Sequence, residues 1–201
     1  AADLAAAAAA GAADLLVRRR PVVTILPTGD EVRPIGEPTG AGQITDTNSL
    51  MLATQAREAG CEAHCLPIEP DDPARIAAAV RAAAPRCDLL IVIAGSSAGR
   101  DDYTARVVAA EGTLAVHGVA VRPGHPVVLG VVGRTPVLGA PGYPVSAALT
   151  FDIFAVPLLA ELSSAPPRQR PRVAARLARK LASPLGMDDW VRVRLGAVHA
   201  R

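Results

Sequence analysis

Short unbroken apolar runs alternate along this chain with stretches whose apolar residues recur every three to four positions. The runs at 22–26 and 89–93 are apolar at nearly every position, which fits parallel strands covered on both faces. Further strands are expected at about 62–68, 126–132 and 135–139, the last two joined by Gly133-Arg134 as a hairpin. Helices are expected at about 48–59, from Asp72-Pro73 to near Pro85, at 103–111 and at 145–162. Asp46 or Thr47 can cap the first and Gly60 stop it, while Asp72 before Pro73 is an N-cap followed by a first-turn proline. Residues 3–16 read as an alanine-rich helix or linker. This order implies an α/β fold, a three-layer and mostly parallel sheet with one antiparallel strand near an edge.

The period changes to two beyond Ser163-Ser164-Ala165-Pro166-Pro167, where Val191, Val193 and Leu195 alternate with Arg192 and Arg194. The beginning of a small C-terminal β domain is expected there, giving units at 1–20 (a helical linker from a missing N-terminal region), 21–164 and 165–201. Charge divides at the same break. Residues 1–164 carry 12 Lys+Arg against 17 Asp+Glu, and residues 165–201 carry 9 against 2, which together make the net +2. The basic tail has one aromatic and no nucleic-acid motif, so solvated strand faces are the favoured reading and no nucleic-acid partner is expected. No signal peptide and no charge-free membrane span is recognised, so a cytoplasmic location without a membrane partner is expected. Three cysteines, an odd number, favour reduced thiols. On a strand, Cys61 and Cys65 stand about 13 Å apart, too far for one zinc ion, and His64 faces the other way.

The candidate chemistry gathers where three apolar runs stop. The first runs into Thr28-Gly29-Asp30-Glu31, the third into Gly95-Ser96-Ser97-Ala98-Gly99 with Asp101-Asp102, and the last into Pro141-Gly142-Tyr143-Pro144-Val145-Ser146. In open α/β sheets ligands bind beyond the carboxyl ends of the strands, so the three clusters imply one composite site. Gly95, Ser96, Ser97 and Gly99 either cradle an anion with backbone N–H groups ahead of a helix or simply form a tight turn. Carboxylates follow the first three runs: Asp30 and Glu31, Asp71 and Asp72, and Asp101 and Asp102. Beside such a loop they call for a divalent cation such as Mg²⁺. Helix capping is the favoured reading for Asp72 and Asp46 and is disfavoured for Asp30 and Asp102. Arg122-Pro123-Gly124-His125-Pro126 is a rigid turn in which Arg122 can grip an oxyanion, with His125 a ligand contact or a surface residue. Ser146 can cap its helix or touch the ligand.

Taken together the motifs resemble the molybdopterin-binding domain of the molybdenum insertases, the molybdopterin molybdenumtransferases, a family that includes the C-terminal part of gephyrin. The resemblance rests on Thr28-Gly29-Asp30-Glu31, on Gln43-Ile44-Thr45-Asp46-Thr47-Asn48, on the Gly95–Gly99 loop with Asp102, and on the two proline-glycine turns. It implies insertion of molybdate into adenylylated molybdopterin with Mg²⁺-dependent release of AMP, in a homodimer. Asp30, Asp102 and Arg122 would be catalytic. Asp30, Glu31 and Asp102 would hold the metal. Thr28, Gly29, Gly95, Ser96, Ser97, Gly99, Pro123, Gly124, His125, Pro141, Gly142, Pro144 and Ser146 would bind the pterin. The chain departs from the family pattern at Ala94, Arg122, His125 and Tyr143, where glycine, two lysines and asparagine are usual. Those departures favour an alternative, a module that binds or senses the pterin without catalysis. A third possibility is a nucleotide-binding α/β domain for another substrate.

Overall fold

The structure, a computed structural model, describes residues 2–93, 103–165 and 172–196. In chain order the elements are α1 (Ala2–Ala9), β1 (Val22–Pro27), β2 (Val32–Arg33), β3 (Ile44–Thr45), α2 (Asn48–Glu58), β4 (Glu62–Cys65) and α3 (Pro73–Ala83). A 3-10 turn (Ala84–Arg86) leads to β5 (Leu89–Ile93), followed by α4 (Tyr103–Glu111), β6 (Thr113–His117), β7 (Val121–Arg122), β8 (Val128–Val132) and β9 (Thr135–Ala140). Then come α5 (Pro144–Thr150), a π-helical turn (Phe151–Ala155), α6 (Val156–Ser163) and β10 (Asp188–Asp189).

Six strands form one sheet in the order β4-β1-β5-β9-β8-β6. The first four run parallel, whereas β8 is antiparallel to both β9 and β6. The sheet is thus mostly parallel with a hairpin toward one edge, as expected. Period-two alternation inside the continuous apolar runs divides the core in two. Val23, Ile25, Leu89, Ile91 and Leu138 pack under α2 and the α5–α6 helix. Leu26, Leu90, Val92 and Val137 pack under α3 and α4 on the other face.

The terminal helix runs from Pro144 to Ser163, 20 residues with mean hydropathy 1.7, long and apolar enough by those measures to cross a membrane. Here it serves the core, because Ala147, Phe151, Ala155 and Leu159 are each at most 1% exposed. That spacing of four overshoots a 3.6-residue turn by about 40° per step. The wider π turn takes up part of the drift and keeps all four side chains facing the sheet. Pro157, which has no N–H to give the preceding turn, accounts for the irregularity.

Three differences from the sequence expectation have physical reasons. Edge strand β6 was not expected, since its exposure alternates only weakly and it follows α4 after a single residue. That residue, Gly112, is where the chain presses on β8: a Cβ there would lie 2.0 Å from the Val131 carbonyl oxygen. The helix near the start ends at Ala9 rather than running to residue 16, and it buries no side chain. Among the described residues of the tail the one ladder is β10 on β7, and Val191, Val193 and Leu195 are exposed. The Trp190 N–H extends that ladder by one bond, to the Arg122 carbonyl at 2.8 Å. Among the described residues 191–195 pair with no strand, and an unpaired alternating stretch does not hold a strand in water.

The lead-in to β1 is tied down by Asp88. Its carboxylate accepts from the Val22 N–H at 2.7 Å and from Arg19 through two bonds of 2.5 and 2.6 Å. The Arg19 guanidinium, with the Val22 N–H also helping, holds the Asp88 carboxyl below its usual value. A depressed carboxylate stabilises the fold above the unfolded value near 3.8 and loses that contribution as pH falls through the lower folded value. Asp88→Asn is therefore expected to cost about 1 kcal/mol at pH 7, solvent screening of the exposed arginine included. The deficit should shrink in urea melts below pH 3. A pH-independent deficit would show that the carboxylate's charge is not what matters.

Candidate functional site

The strand order reverses between β1 and β5: from β1 the chain steps out to β4, then returns to the far side of β1 for β5. A crevice opens at such a switch point. Here Thr28 closes its base. Its N–H and its Oγ1 both donate to the Ile93 carbonyl, each at 3.0 Å, so two donors use the two lone pairs of one oxygen. This joins the carboxyl ends of β1 and β5. Gly29 follows at φ +138°, a backbone conformation that suits glycine, and donates to the Glu69 carbonyl at 3.0 Å.

The second motif is laced onto the first. Strands β2 and β3 pair Val32 with Ile44, and Ile44 N–H reaches the Glu31 carbonyl at 2.9 Å. The Asp46 N–H donates to the Arg33 carbonyl at 2.8 Å. Asp46 then caps α2, its Oδ1 accepting from the Ser49 N–H at 3.0 Å, whereas the Thr47 side chain makes no capping bond. Asn48 ties this segment to the last cluster: its Nδ2 donates to the Gly142 carbonyl at 2.6 Å. Thr28, Thr45, Asp46, Asn48, Gly142 and Pro144 are among the residues that enclose a cleft of about 250 Å³. Motifs 94 residues apart in sequence thereby share one wall.

Among the described residues no Lys, Arg or His side chain lines this cleft. An anion there would meet the N-terminal turn of α2, where the Ser49 N–H is already taken by Asp46 and the Met51 N–H by the Thr47 carbonyl. Asn48 Oδ1 and Ser49 Oγ are buried at this helix start, without a hydrogen-bond partner among the described residues. Asn48 stands in the motif quoted from the sequence but was not among the expected site residues. Its reach to Gly142 had no sequence signal beyond the motif itself.

The expected acidic set is partly assembled. Asp30 is exposed at the mouth of the site, and its Oδ1 accepts from the Asp71 N–H at 3.3 Å. Burial, then the charges of Glu31 and Asp30, push the Asp71 carboxyl above its usual value. Carboxylates that repel each other in this way suit a divalent cation. Among the described residues no three His, Cys, Asp or Glu side chains are gathered as a metal cage. Mg²⁺ needs only one or two carboxylates when ligand oxygens and water complete its shell, so Asp30 and Glu31 remain compatible with it.

The other expected residues are distributed as follows. Pro141 is buried beside Gly142, and Ser146 lies in the first turns of α5. Arg122, Pro123, Gly124 and His125 do not line the cleft. Gly124, at φ +115°, packs on the terminal helix, where a Cβ would come within 3.1 Å of Thr150 Oγ1. His125 Nδ1 lies 2.6 Å from the Val119 carbonyl, which can only accept, so Nδ1 carries a proton. Arg122 forms a forked pair with Asp189, Nε to Oδ1 at 2.8 Å and Nη2 to Oδ2 at 3.2 Å, beside the β7–β10 ladder. Gly95, Ser96, Ser97, Gly99 and Asp102 lie outside the described residues. All three cysteines are free thiols, and burial pushes each above its ordinary value.

Comparison with known proteins agrees with the fold. The family described as "Probable molybdopterin binding domain" matches residues 24–161. Molybdopterin molybdenumtransferase 2 of Mycobacterium tuberculosis is 36% identical over 195 residues, 94% of this chain and 48% of that protein. The molybdopterin molybdenumtransferase of Haemophilus influenzae is 33% identical over 186 residues, 92% of this chain and 46% of that one. A crystal structure of the molybdopterin biosynthesis MoeA protein from Pyrococcus horikosii superposes with a TM-score of 0.67 at 34% identity, covering 73% of this chain and 36% of that chain. The fold also recurs, at 24% identity and a TM-score of 0.57, across 99% of the MoaB chain from Thermus, which covers 74% of this one. The chain spans about half the length of the curated relatives it matches, and it belongs to the molybdopterin binding domain family.

Proposed function

We propose that this chain is the pterin-binding half of a molybdopterin molybdenumtransferase, which inserts molybdate into adenylylated molybdopterin and releases AMP. The observation that carries this reading is the cleft at the β1–β5 switch point, walled by three separate motifs through Thr28, Asn48 and Gly142. The pterin substrate is polyanionic, and the positive end of the α2 helix dipole at the cleft would favour it. Asp30 and Glu31, with Asp102, would hold Mg²⁺, which when bound neutralises phosphate charge and polarises the bond to the leaving group. Asp30 is fixed for this by the Asp71 N–H. Residues 21–164 would act as the binding unit, joined by 1–20 and 165–201 to the remainder of a homodimeric enzyme.

One observation favours the alternative, a module that binds the pterin without turning it over. Arg122, expected at the oxyanion, is instead engaged by Asp189 and does not line the cleft. Full-length protein separates the two readings. Mg²⁺-dependent AMP release should fall by at least a hundredfold in Asp30→Asn, with pterin affinity changed far less. Release that is unaltered by the substitution would remove Asp30 from the chemistry. Tight binding with no AMP release by the unmodified protein would favour the module.

A further inference from the structure

At the amino end of the sheet, opposite the cleft, lies an open groove of about 950 Å³. Its floor is apolar, made by Val22, Ala84, Val132, Pro136 and Leu162. Four arginines border it, and two are already engaged: Arg19 by Asp88 and Arg81 by Glu111. Arg86 and Arg134 are exposed, and neither has an ion pair or hydrogen bond among the described residues. They sit on two loops that are clamped together. The buried Thr135 hydroxyl lies 2.6 Å from the Ala84 carbonyl, its acceptor, and 3.5 Å from that of Cys87. One loop therefore presents Arg86 and the other Arg134 over the same floor.

We propose that this groove docks an acidic segment of a partner protein, with aliphatic side chains set between its carboxylates. Guanidinium groups fork onto carboxylates, and the apolar floor lowers the local dielectric and so strengthens such pairs. The floor in turn rewards burial of leucine-sized side chains. Among the described residues no aromatic side chain lines the groove, so single-stranded nucleic acid lacks its stacking platform. The stretch of this chain leading into the groove, Arg18–Arg20, is itself basic, and the carboxylates nearest to it, Asp88 and Glu111, are already engaged by Arg19 and Arg81.

The test is selection of a random 12-residue peptide library, displayed on phage, against the 201-residue chain and in parallel against R86E/R134E. Both positions are exposed, and an unchanged thermal melt verifies the variant's fold; R86Q/R134Q repeats the test without charge reversal. Selected peptides should be rich in Asp and Glu interleaved with Leu, Ile or Val. As synthetic peptides they should bind at least tenfold more weakly to either double variant, and more weakly as salt rises. Selection of no acidic consensus, or equal binding to both forms, overturns the proposal. So does tighter binding of a 20-residue oligothymidine. Self-association of the chain that the double variants abolish would make a second copy the occupant and equally overturn it.

Discussion

Phe151→Ala is expected to lower the unfolding free energy by about 3–5 kcal/mol, the range for emptying a buried phenylalanine site. Few large side chains are available to replace it, since only 2% of the chain is aromatic. Phe151 is 1% exposed and sits in the π turn, against the face built by Val23, Ile25, Ile91 and Leu138. A four-residue repeat on a helix with a fixed wide turn leaves little freedom to collapse into the void. Phe154, three residues along, is only partly buried at the margin of the same cluster. Its replacement by alanine should cost less than half as much. Urea denaturation of both variants checks this. Equal losses would mean that the π turn does not aim Phe151 into the core.

Asn48→Asp should produce the largest change at the site. The substitution keeps the shape of the side chain but replaces the donor that faces the Gly142 carbonyl with an acceptor, at a position 9% exposed. A buried carboxylate opposite a carbonyl should cost about 3 kcal/mol at pH 7 and place a negative charge where the proposed anionic ligand would bind. Pterin affinity is expected to fall at least a hundredfold. The stability loss should depend on pH with a defined sign. The new carboxyl has its folded pKa raised above the ordinary aspartate value of about 3.9. Below that value it is protonated and can donate to Gly142; the penalty grows as pH rises through the folded value. The gap in melting temperature between the two forms should therefore be small at pH 4 and wide at pH 7.5. A constant gap would indicate that the Asn48–Gly142 bond is not the link between the motifs.

How much of this was legible in the sequence depended on whether the signal was local. The runs that became β1 and β5 are buried on both faces, so they read as strands directly, and Asp72-Pro73 announced α3 through cap chemistry at adjacent positions. Strand β6 escaped because an edge strand need satisfy only one neighbour and carries a diluted pattern. The two-residue ladder of β2 and β3 is shorter than any hydrophobic period, yet it sets the second motif over the first. The polar clusters at strand ends predicted a composite site, and Thr28, Gly142 and Pro144 do meet in one cleft because β1, β5 and β9 are neighbours in the sheet. Arg122 was read from its turn as a ligand group. Its pairing with Asp189, 67 residues away, depends on how the tail docks, and nothing local encodes that.

The most direct test of the account is an anaerobic titration of isotope-labelled chain with molybdopterin, followed by amide NMR shifts. Binding in the switch-point cleft predicts saturable shifts at Thr28, Thr45, Asn48 and Gly142, absent or a hundredfold weaker in Asn48→Asp. Shifts confined to the opposite end of the sheet, around Arg86 and Arg134, or binding untouched by Asn48→Asp, would contradict it.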